Sequence, residues 1–261
     1  MIDLAQLYGF HDRTILVTGG GRGIGRAVCE LFTAAGARVA VSDIDAGGAE
    51  AVAAMLPEAI AYPCDVSDED AVTATTAQVV RDFGRLDAVV HVAAIFPKRD
   101  FLSMTAAQWD ALHAVNTRGT FLVMREAIKA MKAGGRGGAI VNVASISGER
   151  AAVTNNANYG ASKAAVINLT RSMAIETAGD GIRINAVLPG GVATEGAKAA
   201  TEQMKADGLS LGGPMTGPGR MPLGRVADPC EIAAACLFLA ADAASYITGV
   251  SLPVDGGFLV S

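Results

Sequence analysis

Residues 14–43, TILVTGGGRGIGRAVCELFTAAGARVAVSD, change periodicity twice. Thr14 to Thr18 is a short apolar run that reads as a strand, GGGRG is a loop, and the apolar positions after Ile24 recur at helical spacing. ARVAVSD is then a second strand, ending at Asp43. Strand, glycine loop and helix in that order bring bare backbone N–H groups and a helix N-terminus to one place, an arrangement that suits a phosphate. The spacing G-x-G-x-x-G does not fit here. TGGGRGIG does, with Gly19, Gly23 and Gly25 as the spaced glycines and Arg22 and Ile24 among them. Asp43 follows about twenty residues on, where a carboxylate accepts hydrogen bonds from an adenosine ribose diol and repels a 2′-phosphate. That favours NAD over NADP. Arg22 pulls the other way, but Asp43 sits where the 2′ oxygen would be and outweighs it.

Working outward, strand and helix keep alternating. A helix over about 45–56 leads to the strand IAYPCD, ending at Asp65 and Val66. Asp65 suits either an adenine contact or the cap of the next helix, predicted over 67–83. The strand LDAVVHVAA ends in small residues, Ala93 and Ala94, which let a flat cofactor lie close. IFPKRDFLSMT is a loop and part of a substrate wall. The apolar spacing over 106–131 predicts one helix with Asn116 in its middle. An amide there needs partners, and a backbone carbonyl and a water near Lys163 would serve.

The run AIVNVAS is a buried strand ending at Ser145, and NYGASKAAVINLTRSMAIE is helical. Tyr159 and Lys163 lie four apart, so they share a helix face. A free phenol titrates near ~10, and an adjacent ammonium favours the phenolate. Ser145 can hold a substrate oxygen against that phenol. Together the three suit proton transfer to or from an alcohol or carbonyl oxygen. Glu149 and Arg150 either recognise polar groups or pair at the surface. The strand IRINAVLPG ends at Pro189, and GVAT runs to Thr194. Residues 195–225, rich in Gly, Pro and Met, read as a substrate lid with a short helical piece near 201–207. Met204, Leu209, Met215 and Met221 are its adaptable contacts. A helix, DPCEIAAACLFLA, and a strand, VSLPVDGG, close the chain.

With 261 residues, 51% of them hydrophobic, one large α/β domain spanning 1–261 can fill a core. Its sheet is Rossmann-like, parallel and doubly wound. A net charge of −5 gives no basic footprint for nucleic acid. Cys29, Cys64, Cys230 and Cys236 show neither disulfide nor zinc spacing; they read as reduced core thiols of a cytoplasmic protein without a metal site. The stretch MIDLAQLYGFHDR is not a signal peptide, and no segment reaches membrane-spanning length. Its Leu4, Leu7, Tyr8 and Phe10 suggest a short packed arm.

TGGGRGIG, Asp43, Asn116, Ser145, YGASK and PGGVAT, in one order and at matching separations, resemble the short-chain dehydrogenase/reductase family over about residues 12–257. The resemblance implies Tyr159 as acid/base, Lys163 as its pKa partner and ribose ligand, and Ser145 as donor to the substrate oxygen. It also implies Asn116 holding the water of a proton relay. Asp65 and Val66 would meet the adenine; Pro189, Val192 and Thr194 would lie at the cofactor, the last two on the nicotinamide amide. The expected activity is hydride transfer between a small secondary alcohol or ketone and NAD, in a homotetramer assembled on the helices of Asn116 and Tyr159. The alternative is an NADPH-dependent carbonyl or 3-oxoacyl-carrier-protein reductase, with Lys129, Lys132 and Arg136 meeting an acidic carrier. One departure stands out: Val92-Ala93-Ala94 replaces the usual Asn-Ala-Gly, losing an amide that braces the central strand.

Overall fold

The computed structural model describes residues 3–217 and 220–261. Seven strands form one parallel sheet: β1 Thr14–Thr18, β2 Arg38–Asp43, β3 Ala59–Pro63, β4 Ala88–His91, β5 Gly138–Val143, β6 Ile182–Pro189 and β7 Ser251–Val254. Their order is β3-β2-β1-β4-β5-β6-β7, so the chain reverses direction across the sheet between β1 and β4. A ligand cleft belongs at that reversal, beyond the strands' carboxyl ends.

The inner strands bury both faces, and alternate residues serve opposite layers. Ile15, Val17, Val39, Val41, Ala88 and Val90 point to the layer made by α2 (Gly23–Ala34), α3 (Ala46–Ala54) and α9 (Pro229–Ala240). Leu16, Ala40, Val89 and Ile140 point to the layer of α4 (Glu69–Phe83) and α6 (Gly119–Gly134). The helix α7, Ala157–Thr177, packs beside α6. Helix ends are closed by side chains. Thr105 and Gln108 make a capping box on α5 (Ala106–His113), and Asp228 and Glu231 make one on α9. Arg183 from β6 donates to the terminal carbonyls of Leu239, Ala240 and Ala241, tying the end of α9 to the sheet.

Several expectations are corrected. The helix over 106–131 is not continuous: α5 ends at His113, a π turn spans Ala114–Arg118, and α6 follows. The segment over 195–225 begins as a 12-residue helix, α8 (Glu195–Ala206), because Thr194 caps it by accepting from the Ala197 N–H. Residues 218 and 219 of that segment lie outside the described residues. α4 starts at Glu69 under Asp68, not at Ser67, and β3 stops at Pro63, short of Asp65 and Val66. Of the expected N-terminal arm, whose first two residues lie outside the described ones, α1 (Leu4–Tyr8) buries nothing; Phe10 alone is buried, edge-on to Phe32. Cys230 is exposed; the other three cysteines are buried and all four are free.

Candidate active site

The nucleotide end is built mainly from backbone. Gly19 and Gly23 have φ of +69° and +54°, conformations that side-chain-bearing residues rarely adopt. A Cβ on Gly25 would lie 1.9 Å from the Gly19 carbonyl oxygen, so α2 reaches the loop only because that position is bare. Arg22, at the N-cap of α2, has an extended backbone and makes no side-chain cap. The first-turn N–H groups beside Ile24 are therefore uncapped and suit a phosphate. Asp43 is anchored at the end of β2. One carboxylate oxygen accepts from the Gly21 N–H at 2.9 Å and the other from the Asp45 N–H at 3.0 Å. Each oxygen keeps a lone pair for a diol. These bare glycines and the pinned carboxylate fit a dinucleotide.

The adenine positions divide. Asp65 accepts from both the N–H and the hydroxyl of Ser67, while Asp68 caps α4, so the helix-cap alternative falls to its neighbour. Val66 is buried, with its side chain and carbonyl against Gly119. Pro189 is the last residue of β6. Val192 bridges to Ala227, and Thr194 lies beside the glycine loop, its Cγ2 within 3.3 Å of where a Gly23 Cβ would stand.

At the other end, Ser145 is buried just beyond β5 and its Oγ accepts from the Ser147 N–H at 3.1 Å. Lys163 is buried too. Its ammonium donates to the Val143 carbonyl at 2.8 Å and lies 5.7 Å from the centre of the Tyr159 ring. The structure thus brings Ser145, Tyr159 and Lys163 together. Burial pushes the Tyr159 phenol up to about 12, opposed by the Ser145 hydroxyl, and draws Lys163 down to about 8. Desolvation disfavours the charged form of each.

Asn116 sits in the π turn, completely buried. Its side chain accepts from the Ile95 N–H at 2.9 Å and donates to the Ile95 carbonyl at 2.8 Å and to Ser162 Oγ at 3.1 Å. Ser162 donates to the Tyr159 carbonyl in turn. The expected backbone-carbonyl partner is thus found. This clamp also answers the Val92-Ala93-Ala94 departure: Asn116 pins the residue after it, and His91 bonds Thr18 across β1 and β4 at 2.7 Å. Buried, His91 is held neutral, its pKa drawn down to about 3.

Two residues at the phenol carried less signal in the sequence. The Phe96 ring stands edge-on to Tyr159 at 6.1 Å and lies against Gly196. Lys98, within IFPKRD, places its ammonium 5.8 Å from the same ring. Glu149 pairs with Arg171, and Arg150 donates to the Ser261 carbonyl, so both turn away to the surface. Among the described residues no His, Cys, Asp or Glu cluster could hold a metal, and no helix is long and apolar enough to cross a membrane.

Known proteins resemble this chain over nearly its whole length. A family model described as enoyl-(acyl carrier protein) reductase matches residues 19–259. Galactitol 2-dehydrogenase (L-tagatose-forming) of Cereibacter sphaeroides is 42% identical over 99% of this chain and 100% of its own. The cis-4-hydroxycyclohexanecarboxylate dehydrogenase of Sinomonas cyclohexanicum is 39% identical over 95% and 97%. A crystal structure of a short-chain type dehydrogenase/reductase from Mycobacterium marinum covers all of both chains at 30% identity, with a TM-score of 0.88. The chain belongs to the short-chain dehydrogenase/reductase family and is an NAD(P)-dependent alcohol dehydrogenase/reductase.

Proposed function

We propose that the chain oxidises a secondary alcohol with NAD, the carbinol oxygen being held between Ser145 and Tyr159. What carries this reading is the convergence of the Ser145 hydroxyl, the Tyr159 phenol and the Lys163 ammonium beyond the strand ends, at the side of the glycine loop. Ser145 donates to the substrate oxygen and orients it. Tyr159 takes the hydroxyl proton. Lys163, fixed on the Val143 carbonyl, steadies the phenolate and meets the ribose. Asn116 holds the relay on the far side of Lys163. Gly19, Arg22, Gly23, Ile24 and Gly25 cradle the phosphates, and Asp43 takes the ribose diol. Asp65 and Val66 border the adenine, while Pro189, Val192 and Thr194 border the nicotinamide. When bound, the nicotinamide supplies the hydride acceptor.

The choice of NAD rests on Asp43, already placed by two backbone N–H groups. The lid reading of residues 195–225 is supported by backbone bonds from this segment to the stretch after Ser145. Met215 N–H donates to the Ala152 carbonyl, and Thr154 N–H to that of Gly212. Of the three basic residues offered to an acidic carrier, Lys129 pairs with Glu126 and Lys132 with Asp180, which speaks against the carrier-protein alternative; Arg136 remains. A homotetramer is expected on the outer groove between α5–α6 and α7, about 820 Å³ and bordered by His113, Phe121 and Leu169. Four free thiols suit a reducing, cytoplasmic setting.

Tyr159→Phe tests the reading. Losing a positioned proton is expected to lower kcat by roughly 10²–10⁴-fold, with dinucleotide affinity nearly unchanged. A variant that turns over like the wild type would remove Tyr159 from the chemistry.

A further inference from the structure

The catalytic phenol has an ammonium at each of two approaches, and only one of them belongs to the mechanism above. Lys163 comes from within its own helix; Lys98 arrives from the loop after β4, at 5.8 Å from the ring centre. A hydrogen-bonded chain joins Lys98 to the substrate-orienting serine. Lys98 donates to Asn156 Oδ1 at 2.5 Å, Asn156 donates to Ser147 Oγ at 3.2 Å, and the Ser147 N–H donates to Ser145 Oγ at 3.1 Å. The loop that carries Lys98 is fixed on both sides. Arg99 N–H donates to the Asn155 carbonyl at 3.0 Å, its guanidinium pairs with Asp207 beyond α8 at 3.1 Å, and Phe96 packs on Tyr159.

What Lys98 lacks is a counter-charge. Among the described residues the amide oxygen of Asn156 is the one acceptor its ammonium meets, although an ammonium has three protons to donate. Burial lowers its pKa to about 8, with no neighbouring charge acting to raise it. A half-buried cation with spare donors, beside the reacting group, is best satisfied by an anion that arrives from outside. A neutral hydroxyl supplies the hydrogen bond but leaves the charge unbalanced.

We propose that Lys98 binds a carboxylate of the substrate, so that the preferred substrate is a hydroxy acid. Its secondary alcohol lies at Ser145 and Tyr159, and its carboxylate, a few bonds away, lies at Lys98 and Asn156. This deepens the alcohol-dehydrogenase reading and rests on it for the chemistry, while the anion site stands on its own geometry. The position acts on binding, so its loss falls on KM and leaves kcat largely intact.

The test begins with calorimetric titration of cyclohexanecarboxylate and its neutral isostere, cyclohexanecarboxamide, into wild-type protein saturated with NADH. The carboxylate should bind about 10- to 100-fold more tightly, as a charge-assisted hydrogen bond predicts. Lys98→Met should erase that difference while leaving carboxamide binding and the melting temperature in place, and Lys98→Arg should retain most of it. If the wild type binds the two compounds equally, the proposal falls, whatever the variants do. It also falls if Lys98→Met weakens both ligands alike, which marks a structural lysine, or if galactitol displaces the carboxylate and needs Lys98 to do so. Turnover separates this failure from failure of the broader reading. Oxidation of cyclohexanol without any preference for 4-hydroxycyclohexanecarboxylate leaves the dehydrogenase and removes the carboxylate site. Carboxylate binding without turnover of any alcohol, with NAD or NADP, does the reverse.

Discussion

The proposed nucleotide end of the cleft is built from residues 19–25 and 43, largely bare backbone and one pinned carboxylate. The proposed substrate end is built from side chains on separate stretches, around 95–98, 145–147 and 156–163, with 194–196 alongside. Backbone recognition tolerates no side chain where the chain approaches itself, so it constrains which residues stand there. Side-chain recognition constrains only where chemistry happens, and leaves the walls free to vary with the substrate. On this reading the first end can serve any substrate, while the second sets which one is taken.

The contrast can be broken most directly at Gly25. Gly25→Ala drives a Cβ to 1.9 Å from the Gly19 carbonyl, so loop or helix must move. The expected result is loss of measurable dinucleotide binding and about 1–3 kcal/mol of stability, read by titration and thermal melting. Gly134→Ala, at the end of α6 with nothing within 4 Å of its added Cβ, is the control and should leave binding unchanged and lose no stability. Normal cofactor binding by Gly25→Ala would show that the loop is not held by its bareness.

Asp43→Asn probes the pinned carboxylate of the nucleotide end. The wild type is expected to prefer NAD over NADP by about tenfold or more in kcat/KM, and the variant to lose most of that preference. Equal use of both cofactors by the wild type would hand the decision to Arg22. At the substrate end, Phe96→Ala should raise KM for ring alcohols by about three- to tenfold, the worth of an aromatic edge contact, and leave dinucleotide affinity alone. A change in dinucleotide affinity instead would mean the two ends are not separable in this way.

The same contrast explains what could be read in advance. The glycine loop, Asp43 and the alternation of strand and helix are local patterns, and they led to the parallel sheet and its cleft. Tyr159 and Lys163 share one helix, so their meeting also follows from spacing. The pairing of Asn116 with Ile95 spans 21 residues and depends on a π turn that apolar periodicity does not announce. Lys98 meets Tyr159 only through the tertiary fold, and its burial, not its type, makes it unusual. Spacing on a helix gives the distance to an ammonium but says nothing of the desolvation that both groups undergo. The helix at 195–206 was under-read because Gly196 and a following Gly- and Pro-rich tract hid a capped amphipathic turn.

The π turn at Ala114–Arg118 also sets a counting rule for this part of the chain. A π turn accommodates one residue more than an α-helix would, and each residue is worth roughly 100° of rotation. Were one residue deleted between 114 and 118 and the helix closed up as regular α, α6 would keep its phase against α5, because the turn is where the extra residue is taken up. What would go is the place the turn gives Asn116 between Ile95 and Ser162. A one-residue insertion has no such slack: Ile128 would move to the exposed place of Lys129, and Met131 to that of Lys132. Shortening this segment by one therefore costs a clamp, whereas lengthening it by one changes the phase of 16 residues at once.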